Sequence, residues 1–169
     1  MSSHKPCASL SEHPCFKAFL YKIDAIKQSD RSFFLNNSWK LVACFVDIDG
    51  CYKTAEPNEA RWDYLLILFR SSTFHSCFIE IHPKKKTDTL AEAVDEICKK
   101  AKWLLSKADD FPSDLPYPDT KLWKKLWWIG RGYPELNELH IAVNSRYARQ
   151  LMVNHVVYRP SIDLNEFFA

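Results

Sequence analysis

Hydrophobic positions along this chain change period several times. Phe16, Phe19, Leu20, Ile23 and Ile26 recur at helical spacing with Lys17, Lys22, Asp24 and Lys27 between them, which predicts an amphipathic helix over roughly 14–29. Ser11 is placed to cap that helix, and Pro14 is tolerated in a first helical turn. Residues 1–10 read as a loose tail. Trp39 to Ile48 is rich in Val, Phe and Trp and reads as a strand. Asp49-Gly50 is a hairpin signal, because glycine supplies the positive φ of a tight turn, so Cys51 to Thr54 is expected to return antiparallel. Arg61 to Phe69 is apolar almost throughout, the pattern of a strand buried on both faces. Ser71-Ser72-Thr73 turns the chain into a further strand over Phe74 to Ile81.

Pro83 ends that strand. Thr89 and Glu92 have capping-box spacing, and Leu90, Val94, Ile97, Cys98, Ala101, Leu104 and Leu105 mark one face of an amphipathic helix to about Lys107. Asp109 to Thr120 contains Pro112, Pro116 and Pro118 and reads as a surface loop. Leu122 to Ile129 reads as a strand carrying Trp123, Trp127 and Trp128, at least two of them core residues. Gly130 to Pro134 is a turn and Leu139 to Val143 a short strand. Asn144 or Ser145 is placed to cap a last helix through Leu151 and Met152. Val156 to Leu164 is extended, with Pro160 keeping it at an edge. The order predicts an α/β (α+β) fold, a single mixed β-sheet flanked by helices. At 169 residues the chain fits one domain, with its core over about 12–160.

Composition narrows the function classes. A 47% hydrophobic share supports a sizeable core, and three glycines leave no Gly-rich phosphate loop. A net charge of +2 gives no bulk grip on nucleic acid, although a local basic patch serves. No apolar run is long enough to span a bilayer, so no membrane partner is expected. The N-terminus lacks an apolar signal segment. Cys7, Cys15, Cys44, Cys51, Cys77 and Cys98 form no C-x-x-C pair, and read as reduced, buried thiols of a cytoplasmic protein.

Two of the apolar runs carry a carboxylate that a plain core strand would not select: Asp63 in Arg61-Trp62-Asp63-Tyr64-Leu65, and Glu80 in Cys77-Phe78-Ile79-Glu80-Ile81-His82. In a strand Glu80 and His82 share a face. Two carboxylates on neighbouring strands suit Mg²⁺, which takes oxygen ligands and keeps several waters, and which lowers the pKa of a water that attacks a phosphate. His82, with an ordinary pKa near ~6.5, suits a base near that water. Lys84, Lys85 and Lys86 suit a phosphate as point charges.

A helix, a hairpin, a strand opening with Asp, a strand ending Glu-x-Lys and a following helix form the core of the PD-(D/E)xK nucleases, and residues 12 to 130 resemble that core. The resemblance implies that Asp63 and Glu80 bind Mg²⁺ or Mn²⁺ and that the protein cleaves nucleic-acid phosphodiesters. The family's lysine position holds His82, so the site is altered, served by a lysine from elsewhere, or inactive. Arg-Trp-Asp-Tyr-Leu and Phe-Ile-Glu-x-His-Pro also resemble bacterial proteins of unassigned function. The alternative is an inactive member of the same fold that binds nucleic acid or a protein through an exposed patch around Trp123 to Trp128. Bland roles compete: Asp63 pairing with Arg61, Glu80 facing water from a one-faced sheet, a surface His82, a solvated lysine run. The enzyme reading requires both carboxylates to converge on one exposed spot. Opposite sheet faces, or Glu80 buried in a closed ion pair, are grounds to drop it.

Overall fold

The computed structural model describes residues 5–115, 125–136 and 146–168. Their centre is a six-stranded sheet in sequential order: β1 (Leu20–Tyr21), β2 (Val42–Asp47), β3 (Tyr64–Arg70), β4 (Thr73–Ile81), β5 (Leu126–Ile129) and β6 (Val156–Arg159). β1 to β4 are antiparallel, and β4, β5 and β6 run parallel. This is the expected single mixed sheet. The parallel half needs crossovers, and α5 (Leu90–Ser106) and α6 (Arg146–Val153) lie on them.

Each sheet face buries its own cluster. On the face under α5, Val46, Leu65, Ile67, Phe78, Leu126 and Trp128 meet Val94, Ile97, Ala101 and Leu104. On the other, Phe45, Leu66, Leu68, Cys77, Ile79 and Trp127 meet Phe33, Phe34, Ile162 and Leu164. Period-2 alternation thus sends neighbours to opposite cores, and β3 is buried on both faces as its apolar run predicts. Helix α5 has the expected capping box. Thr89 Oγ1 accepts from the Glu92 N–H at 3.2 Å, and Glu92 Oε2 accepts from the Thr89 N–H at 3.4 Å. Trp127 and Trp128 are core residues, so they form no exposed patch. Trp123, the strand expected over 139–143 and the capping residues Asn144 and Ser145 lie outside the described residues.

The N-terminal third departs from expectation. The helix expected over 14–29 is broken into α2 (Pro14–Ala18), β1, a 3-10 turn over Ile23–Ala25 and α3 (Gln28–Arg31). Pairing of Leu20 with Val46 and of Tyr21 with Phe45 draws the middle of that segment into the sheet. The expected loose tail is helical from Lys5 to Leu10 (α1), and Leu10 is fully buried. Asp49-Gly50 is not a hairpin. It lies in α4 (Ile48–Tyr52), where the Asp47 side chain caps the helix by accepting from the Gly50 N–H at 2.9 Å. The expected return strand over Cys51–Thr54 is therefore absent. Four of the six cysteines are not reduced thiols: Cys7 is bonded to Cys44 and Cys15 to Cys51. Each pair is more than thirty residues apart, a separation from which sequence shows no proximity. Cys77 and Cys98 are free and buried, as expected.

Candidate functional site: two carboxylates and a lysine under helix α5

Tyr64 pairs with Ile79 across β3 and β4, which places Asp63 opposite Glu80. Both precede or follow residues committed to the far core, so both side chains turn to the α5 face. The two carboxylates are locked by reciprocal bonds. The Asp63 N–H donates to Glu80 Oε2 at 2.8 Å, and the Ile81 N–H donates to Asp63 Oδ2 at 3.0 Å. Lys100 reaches down from α5 and its ammonium donates to Glu80 Oε1. Arg61 pairs with Asp49 at 2.8 Å, not with Asp63.

Both Glu80 oxygens are therefore engaged, and the residue is 1% exposed. Asp63 is half-buried, and its Oδ1 carries no hydrogen bond among the described residues. Burial pushes the Glu80 carboxyl up, and the neighbouring Asp63 charge adds to this against the pull of Lys100. Burial likewise raises Asp63, opposed by Lys100 and the Ile81 N–H. Burial alone would lower Lys100, but the carboxylates of Glu80 and Asp63 outweigh it and hold the ammonium charged. Desolvation and charge pairing thus act in opposite directions on each member.

His82 makes none of the hydrogen bonds that join this trio. Its backbone is fixed, since the Trp128 indole donates to the His82 carbonyl at 3.0 Å and the His82 N–H donates to Ile129 O at 2.9 Å. Gly130 permits that approach: a Cβ there would lie 2.3 Å from the His82 carbonyl oxygen. The imidazole Nε2 is buried without a hydrogen bond, 3.9 Å from Asp88. Burial lowers its pKa, Glu96 and Asp88 oppose this, and the Lys100 and Lys85 charges add to the lowering. Lys84, Lys85 and Lys86 are exposed on the loop beyond. Of the charges that bear on Asp63 and Glu80, the cationic one is Lys100.

Lys100 is the site residue that the motif comparison passes over. Its signal is its position. Ile97, Lys100, Ala101 and Leu104 have i, i+3, i+4, i+7 spacing, which puts a lysine on the buried stripe of an amphipathic helix.

For Mg²⁺ or Mn²⁺ the fit is conditional. Such an ion asks for one or two carboxylates. Asp63 Oδ1 meets the minimum as it stands, and Glu80 joins only if Lys100 leaves Oε1. No cluster of three or more His, Cys, Asp or Glu side chains suited to a metal is found among the described residues. Also among the described residues, no helix is long and apolar enough to cross a membrane. No family model matches the chain, and neither a characterised protein nor a solved structure matches it.

Proposed function

We propose that the Asp63–Glu80–Lys100 trio is the centre of a PD-(D/E)xK-like phosphodiesterase acting on nucleic acid, with Lys100 in the lysine's role, and that it is held inactive while Glu80 is buried in its closed pair with Lys100. One observation carries this reading: two carboxylates are held at one place against a single ammonium. A structural ion pair needs one carboxylate per cation, whereas here burial raises two neighbouring carboxyls beside one ammonium. Such mismatched titratable groups cluster at functional sites. Asp63, with its free oxygen, and Glu80, once released, would hold a divalent ion, which supplies an activated water and polarises the phosphate. Lys100, once free of Glu80, would face the scissile phosphate as a positive charge, and the exposed Lys84 to Lys86 would steer the phosphates. His82 Nε2 is buried, so His82 would accept a proton from the attacking water only once the site opens.

A second reading has its own observation. Glu80 is sealed, with both oxygens engaged, which suits an inactive member of the fold that binds a nucleic-acid or protein partner.

Mn²⁺ titration and cleavage of single- and double-stranded DNA and RNA separate the two. The enzyme reading expects Mn²⁺-dependent cleavage by native protein and a loss of about 100-fold or more in Glu80→Ala, the scale of a lost charge-stabilising group. It also expects Lys100→Met to bind Mn²⁺ more tightly while losing cleavage, because the ammonium no longer competes for Glu80. Equal residual cleavage in native protein and Glu80→Ala, with no Mn²⁺ binding by either, leaves the binding module.

A further inference from the structure

The N-terminal arm, residues 5–19, is tied covalently to the body of the molecule, and one tie leads to Asp63. Cys7 is bonded to Cys44 on β2 and Cys15 to Cys51 on α4. Helix α4 is five residues long and is gripped at both ends. At its start the Ile48 N–H donates to the Asp63 carbonyl at 2.9 Å, and Asp49 holds Arg61. Near its end stands Cys51, bonded to the arm. The arm also meets α4 without covalent help. The Asp47 N–H donates to Phe19 O at 3.0 Å. A Cβ on Gly50 would lie 2.9 Å from the Phe19 ring, so the two segments pack with no room to spare.

The two disulfides differ in access. Cys7 and Cys44 are both buried. In the other pair Cys51 is buried but Cys15 is part-exposed, so a thiol reaches Cys15 first. Disulfides that persist in a reducing compartment are uncommon, and those that form there transiently serve redox sensing.

We propose that Cys15–Cys51 and Cys7–Cys44 form a thiol-sensitive latch that fixes the arm on α4 and, through α4, the backbone at Asp63. Its effect on chemistry rests on the hydrolytic reading above; the latch itself does not. A dithiol reductant opens it in balanced steps. The reagent's thiolate attacks Cys15 Sγ, the Cys15–Cys51 bond breaks, and the departing Cys51 thiolate takes a proton. The reagent's second thiol then displaces Cys15 and closes to a cyclic disulfide, so two electrons and two protons pass to the protein. Cys7–Cys44, with both residues buried, opens in the same way but later. Oxidation reverses both steps.

The test uses the full chain, oxidised with diamide and then treated with dithiothreitol without denaturant. Alkylation in denaturant after each treatment, followed by mass spectrometry, counts thiols, and hydrogen exchange of the folded protein is read by peptide. The latch expects two alkylated cysteines after oxidation, Cys77 and Cys98, with Cys15 and Cys51 appearing before Cys7 and Cys44 on reduction. Exchange over 47–52 should rise about tenfold on reduction, while α5 stays unchanged, as expected of a local opening. Cys51→Ser should show the faster exchange over 47–52 before any reductant is added, and reductant should add nothing there. Disulfides that resist dithiothreitol until denaturant is present, or exchange over 47–52 that is equal in both redox states, overturn the latch. Absence of Mn²⁺-dependent cleavage in both redox states fails the hydrolytic reading instead and leaves the exchange result standing.

Discussion

Two carboxylates face one ammonium on the α5 side of the sheet, so the charge balance there depends on pH. Glu80 and Asp63 are both raised above their ordinary values of 4.5 and 3.8. As pH climbs past those values the unfolded chain gives up these protons while the folded chain keeps them. Stability from the two carboxyls is therefore full at acid pH and is lost as pH rises through their raised values. Lys100 is raised too, so its contribution is lost only above 10.5 and does not enter this window. The unfolding free energy read from urea titrations should fall between pH 5 and pH 8 by an amount on the order of 1–3 kcal/mol. A carboxyl that keeps its proton one pH unit higher when folded contributes about 1.4 kcal/mol, and the raised positions of Glu80 and Asp63 already include the pull of Lys100. Glu80→Gln should flatten that slope. Lys100→Met should steepen it and cost about 3–5 kcal/mol at pH 8, because it strips the partner from a buried charge. An unchanged slope in Glu80→Gln would assign the titration to other groups. At this scale Asp63 and Glu80 were legible, because a carboxylate in an apolar strand is conspicuous. Lys100 was not, because its partner lies twenty residues away on another element.

Elements with a local cause were the easiest to read. The start of α5 rests on a bond pair three residues apart, and β3 and β4 rest on apolar runs bounded by a turn. The turn itself is unusual. Arg70 pairs with Thr73, so Ser71 and Ser72 are the two loop residues, and their φ values are 49° and 66°. A two-residue loop with both φ positive suits the twist of the flanking strands and is usually built from Asn-Gly. Serine incurs a steric cost in that region. Ser71→Asn with Ser72→Gly should therefore stabilise the protein by about 0.5–2 kcal/mol, given roughly 1–2 kcal/mol for each left-handed non-glycine residue. The urea midpoint should rise with no change in slope. A fall would mean that the serine side chains hold the turn through contacts of their own. The reverse misreading, Asp49-Gly50 as a hairpin, has a matching cause. Asp47 is three residues before Gly50 and captures its N–H as a helix cap, and a pattern centred on the dipeptide does not contain that residue.

Across the whole molecule, sequence pattern captured the fold class but not the way the chain's first residues close it. A polar N-terminus with scattered apolar residues resembles a tail, because the surfaces that bury those residues come from distant parts of the chain. Phe16 shows how far this goes. It is fully buried, stacks on Phe111 with centroids 4.8 Å apart and meets Tyr52 edge-on at 6.3 Å. Phe111 in turn contacts Phe78 of β4, so the arm belongs to the core beneath α5. Phe16→Ala should cost about 3–5 kcal/mol, the range for removing a buried aromatic ring. The loss should appear in the urea midpoint of oxidised and reduced protein alike, because the ring packs by van der Waals contact whichever way the cysteines stand. A tail residue would change stability by about 0.5 kcal/mol or less. A cost that size in the reduced protein, beside a large one in the oxidised protein, would mean that the disulfides alone seat the arm. The full cost in both states would make the arm an integral part of the fold, leaving the disulfides to tune the backbone around α4 and Asp63.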